Sequence, residues 1–238
     1  MIPSTIPAAG HPIRGVIFDL NATLIHGGDP ALWVAAAHDL MARETVPAGT
    51  REAGPAGSPH VEHLTHVATH IWDLAREIDP GSERDLSPAH HRTVYDALIE
   101  RQGTIPATLA DALYRTMLDQ WTLYDETLDV LAALRGRGIR LALLSNVGPD
   151  PRPTLARLGL AGLFDAEVLS LEVGVVKPDP QIFRIAVERL GLDPAEVLMV
   201  GDTVEDDGGA AQVGIRTLIL PRASGTGHGL GIVLRLVG

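Results

Sequence analysis

A chain of 238 residues, 45% apolar and 21% charged, is long enough for one well-buried core and a smaller second domain, and too short for three. Its formal charge of -11 and isoelectric point near 5.3 set most of the surface against the phosphates of nucleic acid or an anionic membrane, leaving a small anion that a metal or local cations could hold. With no cysteine, disulfides, thiolate metal sites and a cysteine nucleophile drop out.

The first fifteen residues, "MIPSTIPAAGHPIRG", carry neither a basic leader nor a long apolar run. Nowhere does the chain approach the roughly 20 apolar residues of a membrane span, so a soluble cytoplasmic protein is expected. "RGVIFD", residues 14–19, reads as a buried strand. Residues 28–122 then lack a strand pattern and read as helices: "PALWVAAAHDLMAR", "HVEHLTHVATHIWDLAREI", "AHHRTVYDALIERQG" and "ATLADALYRTMLDQW". A proline- and glycine-rich loop, "VPAGTREAGPAGSP", residues 46–59, interrupts them. From residue 123 strands and helices alternate. "DETLDVLAALRGRG" is a helix ending at glycine, "IRLALLS" a strand, "PRPTLARLGL" a helix and "AEVLSL" a strand. "DPQIFRIAVERLGL" is a helix opened by Asp179 and Pro180, "EVLMVGD" a strand, "VEDDGGAAQVG" a short helix and "IRTLIL" the last strand.

Strands apolar on both faces, alternating with helices, predict an α/β fold: a Rossmann-like parallel sheet with helices on both faces. Residues 1–27 and 123–238 would form this core and 28–122 a small all-helical domain. An insert placed directly after the first strand falls at the carboxyl edge of the sheet, where open α/β folds bind ligands. The C-terminal "RASGTGHGLGIVLRLVG" starts glycine-rich and ends apolar, which suits packing on the core or a contact between subunits.

Four predicted strand ends carry polar groups. Asp19 is followed by Asn21 and Thr23; "LLSN" ends in Ser145 and Asn146; "VVKPDPQIF" places Lys177 before a helix; "VGDTVEDD" places Asp202 at a strand end with Asp206 and Asp207 one turn on. Singly, each has a plainer role as a turn, a helix cap or a surface pair. Together, on one edge of one parallel sheet, they supply a carboxylate nucleophile, hydroxyl and amide donors, a cation and a carboxylate cluster. Those are the parts that bind Mg²⁺ and stabilise a phosphoryl group in transfer. Lys177 is also the only lysine among 19 basic residues, in a chain that otherwise uses the planar guanidinium.

The order and spacing of "DLNATL", "LLSN", "VVKPDPQIF" and "VGDTVEDD" closely resemble the four signature motifs of the haloacid dehalogenase-like hydrolase superfamily. The helical insert resembles that family's cap between its first and second motifs, and the likeness runs from about residue 13 to 220. It implies a Mg²⁺-dependent phosphatase of a small phosphorylated metabolite, acting through an aspartyl-phosphate. Asp19 would attack phosphorus, and Asp19, Asp202 and the backbone carbonyl of Asn21 would hold Mg²⁺, with Asp207 and Asp206 orienting its waters. Ser145 and the backbone N–H of Asn146 would bind phosphoryl oxygens, Lys177 would neutralise Asp19 and the phosphate, and Thr23 would steady the turn.

Two residues depart from the pattern. The family's phosphatases have a second aspartate where this chain has Asn21, which cannot exchange the proton that a positioned acid-base supplies, worth about 10² to 10⁴ in rate. Ala22 stands where many members have glycine. Three readings follow: a phosphohydrolase that is slow, takes an ester with an undemanding leaving group or borrows an acid from the cap; a catalytically impaired phosphate-ligand binding or regulatory protein; or a 2-haloacid dehalogenase, in which the acidic fourth motif has no role. In the insert, His63, His66 and His70 share one side of a helix at about 100° per residue. That face is either an ordinary polar one, a transition-metal site or a source of the missing proton, and His26 is a further donor by chain position. Arg43, Arg76, Arg92 and Arg115 are candidates to hold a second anionic group.

Overall fold

The computed structural model describes residues 11–45, 59–103, 105–223 and 225–237. Its strands are β1 (Gly15–Phe18), β2 (Ile25–His26), β3 (Thr122–Leu123), β4 (Arg140–Ser145), β5 (Ala166–Leu169), β6 (Val197–Gly201) and β7 (Arg216–Ile219). Five of them form one sheet in the order β5-β4-β1-β6-β7, every pair parallel. The helices of the insert are α1 (Pro30–Thr45), α2 (Pro59–Ile78), α3 (Pro88–Arg101) and α4 (Ala107–Thr116). Those after it are α5 (Thr127–Gly136), α6 (Arg152–Arg157), α7 (Ser170–Val173), α8 (Pro180–Leu190), α9 (Val204–Asp207) and α10 (Val233–Leu236).

Alternation along the central strand builds the layers. Val16 and Phe18 point into one apolar cluster with Leu131 and Leu134 of α5 and Val233 of α10. Ile17 points into the other, with Ile182, Phe183 and Ala186 of α8. Both faces are covered, so β1 is apolar and buried at every position. The carboxylate of Asp179 accepts from the Gln181 N–H at 2.7 Å, Pro180 fills the first turn of α8, and Gly191 ends it at φ 63°. Ile182, Phe183, Ala186, Val187 and Leu190 are its buried face, each large side chain contributing about 1.5–3 kcal/mol by burial.

The insert has a separate apolar cluster, built from Trp33 and Val34 of α1, Leu64, Val67 and Ile71 of α2, Tyr95 and Leu98 of α3 and Leu109 and Leu113 of α4. Where it joins the sheet, β2 and β3 pair antiparallel, Ile25 with Leu123 and His26 with Thr122. Two residues per strand are too few to leave a period in the sequence.

Several expected elements differ in extent. The strand expected over 166–171 ends at Leu169 because Ser170 starts a helical turn. The helix expected to reach Trp121 stops at Thr116, whose hydroxyl donates to the Ala112 carbonyl at 2.8 Å. Past Asp207 the expected helix tightens to a 3-10 form over Gly208–Val213, where Gly209 packs so closely that a Cβ would lie 2.6 Å from the Pro178 carbonyl. A 3-10 turn at Glu83–Leu86 is unforeshadowed. The expected loop 46–59 lies, apart from Pro59, outside the described residues. The C-terminal segment packs back on the core, with Leu230 and Val233 buried and the Gly231 N–H donating to Glu126 at 2.9 Å.

Candidate active site

β1, β4 and β6 end side by side, and their parallel direction sends Asp19, Ser145 and Asp202 to the same edge. All three line one cavity of about 100 Å³, as do Asn21, Asn146 and Lys177. Lys177 Nζ donates to Asp19 Oδ1 and to Asp207 Oδ1, each at 2.7 Å, and the three side chains are almost wholly buried. Burial opposes the ammonium, but the two carboxylates outweigh it and hold Lys177 above its ordinary range. On Asp19 burial dominates: it pushes the carboxyl up to about 7 against the pull of Lys177.

Around this array the backbone is tied down locally. Thr23, fully buried, donates its hydroxyl to Asp19 Oδ2 at 3.3 Å. The turn between them folds back through Leu24 and Ile25 N–H groups donating to the Leu20 carbonyl at 3.0 and 3.1 Å. Ala22 closes it at φ 60°, a left-handed conformation that disfavours a Cβ. Asn146 is used through its side chain, which accepts from the Lys177 N–H at 2.7 Å and donates to the Lys177 carbonyl at 3.1 Å. It clamps the backbone that presents the ammonium. Asp207 Oδ2 accepts from the N–H groups of Asp202 at 2.9 Å and Thr203 at 3.2 Å. The fold makes room for that carboxylate with Gly201, where a Cβ would lie 2.0 Å from Asp207 Oδ2.

Ligand oxygens of Asp19, Asp202 and Asp207 lie within 4.8 Å of one another, the one such cluster among the described residues. The histidine face of α2 forms no comparable group. His63 Nε2 is 3.3 Å from the Gln102 carbonyl, and the exposed His66 and His70 rings lie 4.7 Å apart, tilted at 56° to each other. The residues α2 turns toward Asp19 are Trp72 and Arg76. His26 Nε2 lies 2.8 Å from the Thr122 hydroxyl and borders a neighbouring cavity. Of the four arginines, Arg76 reaches the site and pairs with Asp206 at 2.9 Å. Arg92 and Arg115 pair with surface carboxylates, and Arg43 is exposed.

Four further charged or titratable residues line the cavity without a signal in the sequence: Arg84, Asp85, His91 and Arg222. Arg222 Nε donates to Asp202 Oδ2 at 2.6 Å. Arg84 is buried against Asp79 and Asp85, at 3.3 and 3.5 Å. Burial pushes the Asp85 carboxyl up to about 6, Arg84 opposing, and holds His91 down at about 4, with Arg84 adding to the effect. These insert residues rest directly on the core. Ser170 Oγ donates to the Asp85 carbonyl at 2.6 Å and accepts from the Val147 N–H at 2.9 Å.

A parallel sheet with a buried lysine between carboxylates at its carboxyl edge, roofed by helices, defines a hydrolase on a Rossmann-like core. The chain belongs to the haloacid dehalogenase-like hydrolase family, whose model matches residues 13–214. It is 38% identical over 172 residues to the phosphoserine phosphatase of Thermus thermophilus, covering 69% of this chain and 68% of that one. To the phosphoglycolate phosphatase of Shigella dysenteriae it is 31% identical over 204 residues, covering 82% and 75%. Among solved structures, the putative hydrolase YfnB of Bacillus subtilis, bound to magnesium, superposes with a TM-score of 0.65 at 19% identity over 95% of this chain and 99% of that one.

Proposed function

We propose that the protein is a Mg²⁺-dependent phosphatase of a small phosphorylated metabolite, with Asp19 as the nucleophile. The reading is carried by the buried array in which Lys177 bridges Asp19 and Asp207 beside Ser145, and it is supported by curated relatives that are phosphatases. Residues 1–27 and 123–238 would act as the catalytic core, and 28–122 as a cap closing over it. Clustered hard oxygen donors suit Mg²⁺, and Asp19, Asp202 and the Asn21 carbonyl would hold it. When bound, the ion would offset the charge that gathers on the phosphoryl oxygens.

The chain's own groups then divide the work. Asp19 attacks phosphorus, and Lys177 stabilises the anionic oxygens as the bond to the leaving group lengthens. Ser145 and the Asn146 N–H hold the phosphoryl group, while the Asn146 side chain fixes Lys177 and Thr23 fixes Asp19. Asp207, with both oxygens engaged, serves as a strut more than as an orienter of water, and Asp206 ties the site to Arg76 of the cap. Asn21 favours a second reading, a protein that takes the phosphoryl group and releases it slowly, because nothing at that position activates water. The acidic cluster has no use in displacing halide from a 2-haloacid.

The test is phosphate release from acetyl phosphate with and without Mg²⁺, beside an Asp19→Ala variant. Release that needs both is the expected result. A stable adduct without release would establish the second reading, and neither adduct nor release would defeat the phosphatase.

A further inference from the structure

A second cavity of about 300 Å³ adjoins the one that holds Asp19. The two share Asn21, Trp72, Met117, Trp121 and Arg222 in their walls, so a group leaving phosphorus past Asn21 enters it directly. Its lining is unusual for this chain. Phe, Trp and Tyr make up 4% of the sequence, yet all three tryptophans, Trp33, Trp72 and Trp121, border this space, together with Tyr124. The Tyr124 ring is held by His228, stacked on it at 4.3 Å and 10° between planes. Trp33 is anchored by its indole N–H on the Leu113 carbonyl at 2.9 Å. Three tryptophans and a tyrosine bordering one cavity, two of them held in place by these contacts, suit a planar ring, which aromatic side chains bind through ring–ring contacts.

Resting on the phosphatase reading, we propose that the substrate is an aryl phosphomonoester, its phosphoryl group against Asp19 and its ring in the tryptophan-lined cavity. The same assignment accounts for Asn21 in the first step, the departure of the leaving group. Attack by an Asp19 oxygen forms the Asp19–phosphorus bond as the phosphorus–oxygen bond to the ring oxygen breaks, and that oxygen leaves with the electron pair as an aryloxide. A phenol ionises near 10, as tyrosine does, far below an aliphatic alcohol, so the aryloxide departs without a proton from residue 21 and takes one from solvent. Water then attacks the aspartyl-phosphate, releasing inorganic phosphate and restoring the Asp19 carboxylate.

The experiment compares kcat/KM for acetyl, phenyl and ethyl phosphates and uridine monophosphate, alongside quenching of tryptophan fluorescence by phenylphosphonate and methylphosphonate, which cannot be hydrolysed. Phenyl phosphate should exceed ethyl phosphate and uridine monophosphate by at least about tenfold, and phenylphosphonate should bind at least about tenfold more tightly than methylphosphonate, as one or two stacking contacts allow. In Trp72→Ala the ratio of phenyl to acetyl phosphate turnover should fall by a similar factor. Turnover of acetyl phosphate with no preference for phenyl phosphate, and phosphonates of equal affinity, would overturn the aryl assignment and leave the phosphatase standing. A preference for uridine monophosphate would overturn it in favour of a nucleoside. If acetyl phosphate is not turned over, the phosphatase reading fails, and the two phosphonates still decide whether the cavity takes a ring.

Discussion

Replacing Lys177 with Met removes the ammonium from the centre of the site while keeping the length of the side chain. Two hydrogen bonds of 2.7 Å go, and three carboxylates with oxygens within 4.8 Å of one another lose their buried cation. Breaking a buried pair in this way costs about 3–5 kcal/mol, which in a chain of this size lowers Tm by about 6–20 °C. Asp19 sets the pH dependence. Its folded carboxyl, pushed to about 7 by burial, stands above the unfolded value near 3.9, so stability is fully present in acid and is lost as pH rises through the folded value. Without Lys177 that value rises further. The deficit of Lys177→Met should therefore be largest above pH 7 and narrow as pH falls below it. Thermal melts in EDTA at pH 8.5 and 5.5 test this, and added Mg²⁺ should raise the Tm of the variant more than that of the parent. A deficit of the same size at both pH values, unaffected by Mg²⁺, would mean lost packing and refute the electrostatic account.

Ala22→Gly should stabilise the protein, because the left-handed turn at φ 60° costs alanine about 1–2 kcal/mol, only partly offset by the freedom glycine adds to the unfolded chain. A rise in Tm of about 1–4 °C is expected, and a fall would show that the Cβ contributes packing that outweighs the strain. Gly148→Ala would place a Cβ 2.6 Å from both the Arg84 carbonyl and the His91 Cβ, prising the insert from the loop after β4. Phosphate release should drop sharply with a loss of about 1–3 kcal/mol in stability, and unchanged kinetics would deny that this contact closes the site. His91, held at about 4 by burial and then by Arg84, contributes stability that is fully present above pH 6.5 and is lost as pH falls through the folded value. The gap between wild type and His91→Gln should therefore shrink by roughly 3 kcal/mol from pH 7 to pH 4; denaturant melts showing a constant gap would count against it. Asn21→Asp should raise kcat/KM for ethyl phosphate by about 10² to 10⁴ and for phenyl phosphate by less, whereas an equal gain on both would remove the leaving group from the explanation.

The core was readable because its information is local. Asp19 and Asp202 directly follow apolar strands and Ser145 ends one, and a parallel sheet carries every strand end to one edge, so the three converge without any distance having to be known. Lys177, by its rarity, marked a place where a compact cation is held between carboxylates. The insert was legible only as helices. Periodicity separates the faces of α2 but does not say which one turns to the sheet, and the face that does carries Trp72 and Arg76, the latter already a candidate for holding an anion, and not the three histidines. Arg84, Asp85 and His91 reach the cavity through a 3-10 turn and a helix start whose place is set by contacts to Gly148 and Ser170, far away in the chain.

Asn21 joins the two kinds of information. As a letter in the sequence it is a missing acid, and from that alone a phosphohydrolase that is slow, takes an undemanding leaving group or borrows an acid leads over a binding protein and a 2-haloacid dehalogenase. Its position adds a constraint: it borders both the cavity of Asp19 and the one walled by tryptophans. On the aryl-ester proposal, a residue at that boundary would meet the leaving group as it passes from one cavity to the other. There an amide can still hydrogen-bond to a departing oxygen, donating without giving up its proton. On that proposal it would be sufficient for an oxygen already stable as an anion and insufficient for an alkoxide, so the substitution and the aromatic wall would restrict the same part of the substrate.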